Sequence, residues 1–451
     1  MCVAERSPPA LPSFLMTRSL SPPSIARTAL TLFPFQVVLR IGEALFPLLL
    51  AIWFGRSVAT DVYYLSWSIF SLAGSLLFSL YQDSALIPIL TELKASDRSA
   101  IPEVLGSLLV HTLIGGGGMA LAIGICSVGW FSLQAQQEAG LLAVWMVAPF
   151  CGYLIAQSLK TLFLALLQAE QFFLAAPFAS GVSMPLAIAL VAIFRHTLGV
   201  VSIPVGLFVG ELTAALLLFS IARFGFQLRI DWTWSRPPAV VRFFRLVSSE
   251  VLGSAVTRIN PVIDQVMAGL TGVIGGGTLL RYANDVATVP TSILQATLLP
   301  VLLSRLATDF VTGKAESIRM TVYRTLWIVA LLLMLIALVL FGLRGPILRL
   351  IFLRGEMDAA GVDRMIHLFP YFLAGLLPFG MLLILVRAHI AIQNSSILFR
   401  MGIINASLNG LFNWILVRWM GLEGIALATG CVQMVVAFLL WMRLRKKMAA
   451  R

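Results

Sequence analysis

Apolar runs long enough to cross a bilayer succeed one another from Phe33 to Met442, and charge gathers in the short stretches between them. A hydrocarbon core of roughly 30 Å needs about 20 helical residues per crossing. Twelve segments meet that requirement: 33–54, 64–90, 104–131, 140–166, 171–194, 199–222, 244–269, 278–303, 322–343, 365–386, 398–417 and 424–442. With 59% of residues hydrophobic and 12% charged, the chain has too little polar surface for a water-soluble exterior. The runs lack the alternation of barrel strands, and lipid leaves an unpaired backbone no partner, so helices are expected.

The net charge of +12 raises nucleic acid as a partner, but the placement of the charge excludes it. Lys and Arg concentrate in the N-terminal tail, in the 2–3, 4–5, 6–7, 8–9 and 10–11 connections, and in the C-terminal tail. Arg40, Arg258 and Arg281 are read as the cations within spans. By the positive-inside rule both termini are cytoplasmic. The segment 344–364 is the exception, with four arginines on the outer side. Basic residues of the 6–7 connection and the tail Arg443, Arg445, Lys446 and Lys447 face anionic lipid headgroups in this reading. Residues 1–30 are rich in Pro and Ser and read as a disordered tail, translation starting at Met1 or Met16. Cys2, Cys126, Cys151 and Cys431 are scattered, as are the four histidines, so neither a metal site nor a disulfide framework is expected.

The longest polar connection, 223–243, divides the spans six and six: an N-lobe at 31–222 and a C-lobe at 244–442, closed by a basic tail at 443–451. The halves echo one another, Ala85-Leu86-Ile87-Pro88 closing span 2 and Thr297-Leu298-Leu299-Pro300 closing span 8. Equal span numbers make this a parallel repeat. The expected fold is therefore an all-α integral membrane protein of about 12 transmembrane helices, in two pseudo-symmetric lobes around a central cavity.

Five short stretches carry a family resemblance. They are Phe54-Gly55-Arg56 through Thr60-Asp61-Val62-Tyr63; Leu86-Ile87-Pro88; Arg354-Gly355-Glu356-Met357-Asp358; Val386-Arg387-Ala388 through Gln393-Asn394; and Gly421-Leu422-Glu423-Gly424-Ile425-Ala426. In order and spacing the chain resembles the MurJ/MviN-type lipid II flippases, within the multidrug/oligosaccharidyl-lipid/polysaccharide exporter superfamily. The resemblance implies a transporter rather than an enzyme, in the bacterial inner membrane, moving a polyprenyl-diphosphate-linked saccharide for cell-wall or related envelope synthesis. There are departures. The family's basic pair in span 2 corresponds to Gly74 and Ser75, its Tyr-Ala-Asp-Arg pattern reads Tyr282-Ala283-Asn284-Asp285, the stretch from Pro290 to Pro300 is about one helical turn shorter, and fourteen spans become about twelve. Lipid II and a related polyprenyl-linked glycan both remain open as cargo.

Ionisable side chains at bilayer depth cost roughly 2.5–3.5 kcal/mol each on insertion scales, so those present face protein or water. Spans 1, 2, 7 and 8 hold most of them, at matching positions in the two halves. Arginine suits phosphate through its planar fork, so Arg40 and Arg258, then Arg281, are the expected headgroup ligands. Glu43, Asp61, Asn260, Asp264, Asn284 and Asp285 are the expected polar and coupling residues of the cavity. Arg40–Glu43 and Arg281–Asp285 are alternatively neutral structural pairs. Asp264 either pairs with Arg258 or Arg281 or serves a cation; Na+, H+ and the membrane potential are all open as driving force. Asp83 and Glu211 read as span-end residues reaching the interface. Pro47, Pro261, Pro290 and Pro378 can bend their helices, and Gly115–Gly118 allows close packing or a kink. No cofactor is expected, and the partners are the lipid-linked glycan, membrane lipids and envelope-synthesis proteins. The alternatives are a cation-coupled drug exporter of the same superfamily, or a membrane glycan polymerase or glycosyltransferase.

Overall fold

A computed structural model describes residues 45–76, 85–133, 137–313 and 315–449, and within them every regular element is a helix. The first elements are α1 (Leu45–Phe54), α2 (Val58–Leu76), α3 (Ile87–Ser96), and then α4 (Ile101–His111) and α5 (Gly117–Leu133), these last two joined end to end. They are followed by α6 (Gln137–Ala169), α7 (Ala175–Leu198) and α8 (Ser202–Ser220). The second half comprises α9 (Pro238–Arg258) with α10 (Asn260–Leu270), α11 (Gly276–Ala287) with α12 (Val289–Val311), α13 (Ala315–Phe352), α14 (Ala359–Ala391), α15 (Ser395–Met420) and α16 (Leu422–Ala449). Paired in this way, the described helices follow the order of the twelve expected spans. Seven continuous stretches are long and apolar enough to cross on their own, and one of them, Ala175–Gly225, doubles back at Gly199 to cross twice. The α9–α10 and α11–α12 spans are broken, and α9, α10 and α11 are the C-lobe helices packed on α2.

Each break has a local cause. Pro261 has no N–H to continue the helix, and α9 passes to α10 at Ile259. Pro290 does the same between α11 and α12 at Thr288. Span 3 carries a π-helical turn at Thr112–Gly116. A Cβ at Gly115 or Gly118 would meet nothing within 4 Å, so close packing does not require glycine at these two positions.

Within the N-lobe, α7 and α8 form a hairpin whose backbones nearly touch. A Cβ on Gly206 or Gly210 would run into the carbonyls of Ala187 and Ser183. This is the small-xxx-small logic of membrane helices, in which packing rather than hydrophobicity drives association. The C-lobe uses it at Gly375 of α14, whose added Cβ would lie 3.0 Å from the Gly430 Cα of α16. α13, charge-poor over its middle, turns Leu331, Leu335 and Leu338 outward, as a lipid-facing helix should.

Two expectations are refined. α13 runs to Phe352 and α14 starts at Ala359, so most of the arginine-rich segment 344–364 is helical, and its charges are largely neutralised: Arg349 pairs with Asp363 at 3.0 Å, Arg364 with Glu423 at 3.4 Å, and Arg344 lies 4.3 Å over the Phe341 ring. The inter-lobe connection is laid along α4 rather than hanging free. Asp231 donates its backbone N–H to the Pro102 carbonyl (3.1 Å), Ser107 donates to the Ser235 carbonyl (2.6 Å), and Trp234 stacks on His111 at 4.9 Å. A side chain at Gly106 would overlap the Asp231 carbonyl, so glycine is needed there.

Candidate substrate cavity

α2 is the N-lobe helix that meets α9, α10 and α11 of the C-lobe. Beside this seam lies a cavity of about 360 Å³. Its wall is aromatic on one side, with Tyr63, Tyr64 and Trp67 of α2 and Tyr153 of α6. Four charges project from three helices, α6, α8 and α11. Lys160 of α6 meets Glu211 of α8 at 2.5 Å, both largely buried, and Arg281 of α11 donates through Nε to Asp285 at 3.0 Å. The described lining is thus two cations neutralised by two carboxylates, one pair from each lobe. Pairing explains how charge survives at this depth, because an isolated buried ion is strongly penalised. Arg281 uses only Nε, and its two terminal nitrogens have no acceptor among the described residues. A planar guanidinium with free donors can take a phosphate oxygen without leaving its carboxylate.

On the face opposite the C-terminus the lobes are joined. Gly55, between α1 and α2, has φ +56°, and a Cβ there would overlap the Glu356 carbonyl; Gly355, between α13 and α14, has φ +63° and fits against the Ile52 carbonyl. The Glu356 N–H bonds Ile52 O at 2.9 Å. Arg56 grips Asp358 with both arms of its fork, at 2.8 and 2.9 Å. Asp61 accepts two hydrogen bonds of 2.8 Å from the N–H and hydroxyl of Thr278, in the first turn of α11, where a carboxylate also complements the helix dipole. Toward the C-terminal face, α3 packs on α6 while α12 packs on α13 and α14, each inside its own lobe. The exposed pair Arg242–Glu92 (2.7 Å) links α9 to α3 there.

The C-lobe contains a second polar group. Asn413 of α15 donates to Asp264 of α10 at 2.6 Å and to Asn409 at 3.0 Å, and Asn260 donates to Asn405 at 2.5 Å. The spacing of four on both helices stacks these amides into a ladder.

A profile of the family described as lipid II flippase MurJ matches residues 50–451. The chain belongs to the lipid II flippase MurJ family. Among curated relatives, the probable lipid II flippase MurJ of Vibrio cholerae is 24% identical over 398 residues, covering 83% of this chain and 74% of the relative. The lipid II flippase MurJ of Burkholderia cenocepacia is 24% identical over 443 residues, covering 94% and 84%. Among solved structures, "Lipid II flippase MurJ, inward closed conformation" superposes with a TM-score of 0.72 at 19% identity, over 92% of this chain and 87% of that one. An inward-facing multidrug resistance MATE family transporter of the MOP superfamily gives 0.67 at 18% identity, over 90% and 98%. At these identities the structures speak for a shared two-lobe fold.

Against that MurJ-type frame, the predicted residues fall into three groups. Arg281 and Asp285 line the cavity. Asp61 joins the lobes, Asn260 and Asp264 belong to the C-lobe ladder, and Asn284 lines a small gap between α11, α14 and α16. Arg258, at the end of α9, is exposed and is not among the cavity residues. Arg40, Glu43 and Asp83 lie outside the described residues. Asp264 pairs with Asn413, not with Arg258 or Arg281. Glu211 sits mid-way along α8 and pairs inward rather than reaching the interface. Lys160 was not anticipated, although a lone lysine inside an otherwise apolar span is the kind of signal that marks such a site.

Proposed function

We propose that the chain is a flippase that carries a polyprenyl-diphosphate-linked saccharide across the bacterial inner membrane, lipid II being the cargo named for its relatives. The observation that carries this is the convergence of Lys160 and Arg281, from opposite lobes, on one cavity at membrane depth. The diphosphate exchanges with Glu211 for Lys160 and binds the free donors of Arg281, while the saccharide lies against the aromatic wall and the prenyl tail stays in lipid. Arg40 and Arg258 remain candidates for the same headgroup in other stages of the cycle. No bond is made or broken; the protein is a transporter.

The distribution of Lys and Arg supports cytoplasmic termini, which makes the C-terminal face cytoplasmic and the joined face outer. The lobes, divided at 223–243, rock about α2 and the broken helices α9/α10 and α11/α12. The Asp264–Asn409–Asn413 group, with one carboxylate and several amide oxygens, suits a coupling cation, Na+ or H+; the membrane potential is the alternative drive. The likeness to MATE transporters favours a drug exporter as second reading. An exporter of cationic drugs would meet repulsion from Lys160 and Arg281, which favours the anionic cargo.

The test is rescue of cells depleted of their own lipid II flippase, with lipid-linked precursor accumulation as readout. Wild type should rescue. Lys160→Gln and Arg281→Gln should each lose roughly tenfold or more in transport, the scale of a hydrogen bond to a charged group, about 1.5–3 kcal/mol. Full rescue by both variants overturns the headgroup assignment. Failure of well-expressed wild type overturns lipid II as the cargo.

A further inference from the structure

At the C-terminal face, away from the seam, a pocket of about 340 Å³ lies between the α14–α15 turn, the start of α15 and the end of α16. Four of its six lining residues are cations: Arg400, Arg443, Lys446 and Lys447. None of them forms an ion pair among the described residues. The sequence explains why: beyond Asp363 the chain contains one acidic residue, Glu423, which lies at the opposite end of α16 and is taken by Arg364.

The floor of the pocket is fixed. His389 of α14 is fully buried and bonds the Leu440 carbonyl of α16 through Nε2 at 3.1 Å, so Nε2 carries the proton and Nδ1 accepts from the Asn394 amide at 3.2 Å. Gln393 takes a left-handed φ of +53°, and the Asn394 N–H closes on the His389 carbonyl at 2.9 Å. Asn394 is the residue that would cap α15, but its side chain is committed to His389 and makes no cap bond. The first turn of a 26-residue helix therefore opens beside four unneutralised cations. Like charges held this close repel unless an anion is shared among them, and helix N-termini add donors to such a site.

We propose that this pocket binds the phosphate of an anionic phospholipid of the cytoplasmic leaflet, pinning α14, α15 and α16 together at their membrane ends. It is a site separate from the transport cavity, and it does not depend on which glycan is carried. With the C-terminal face cytoplasmic, as proposed above, a pocket at the ends of three membrane helices suits a lipid headgroup better than a free anion.

The test uses the purified full chain in zwitterionic detergent, titrated with phosphatidylglycerol in mixed micelles, with phosphatidylcholine, and with inorganic diphosphate; native mass spectrometry counts bound lipid and a melting curve reports stabilisation. Phosphatidylglycerol should bind and stabilise, phosphatidylcholine should not. Arg400→Gln/Arg443→Gln/Lys446→Gln should weaken that binding about tenfold or more. The charge-keeping Arg400→Lys/Arg443→Lys/Lys446→Arg should retain it, and Arg344→Gln/Arg418→Gln, on the other face, should leave it unchanged. Protection by diphosphate as strong as by phosphatidylglycerol overturns the lipid assignment. Equal phosphatidylglycerol binding by wild type and the triple Gln variant overturns the site.

Discussion

Individual charges in this chain are interpretable only through their partners. Arg281 and Asp285 were legible in the sequence because a separation of four places them on one helix face. Lys160 and Glu211 were not, because they stand 51 positions apart on α6 and α8 and meet only when the N-lobe packs. Arg258 illustrates the converse: an arginine in a span is conspicuous in sequence, yet the break at Ile259 leaves it exposed at the end of α9. The Arg56–Asp358 pair yields a prediction at this scale. The guanidinium hydrogen bonds and charge hold the Asp358 carboxyl below its ordinary range. A depressed carboxyl contributes stability above its unfolded value, about 3.9, and loses it as the pH falls through the lower folded value. Asp358 is half exposed, so solvent screening limits the effect to less than about 1 kcal/mol. Asp358→Asn should therefore melt slightly lower than wild type at pH 7, the gap closing at about pH 3 and below; a gap that persists unchanged at that acidity would show that the ion pair contributes nothing.

The helices show the same division between local and tertiary information. The all-helical class, the order of the helices and the prolines that break spans 7 and 8 were readable from apolar run length and punctuation. That α13 continues to Phe352 was not, since Arg344 and Arg349 argue against a span; the fold accommodates them with the Phe341 ring and Asp363. The motifs around Gly55 and Gly355 were visible as separate stretches, and the structure makes them one joint. Both glycines have positive φ, and each backbone occupies the space a Cβ would fill on the other loop. Gly55→Ala should cost at least about 1–2 kcal/mol in the joined state from backbone conformation alone. We expect it to raise labelling of outer-face residues by an impermeant thiol reagent, in a background without the four native cysteines. Labelling equal to that of the parent would show that the joint tolerates a side chain.

For the whole molecule, the sequence conveyed two lobes and a polar centre, and in the described part of that centre charge is balanced, pair against pair, one pair being the Arg281–Asp285 alternative legible in the sequence. A balanced cavity binds a diphosphate by exchange of partners, so the bound state need not raise net charge at membrane depth, and joining and parting of the lobes at the Gly55–Gly355 face then decides from which side the cargo can leave. The most direct measurement is transfer of a polyprenyl-diphosphate saccharide between leaflets of proteoliposomes containing Arg56→Cys/Asp358→Cys in the cysteine-free background, before and after linking the two thiols with a short reducible reagent. The account predicts transfer by the unlinked protein, arrest on linking, and recovery on reduction. Undiminished transfer with the joint locked, or none by the unlinked protein, would contradict it.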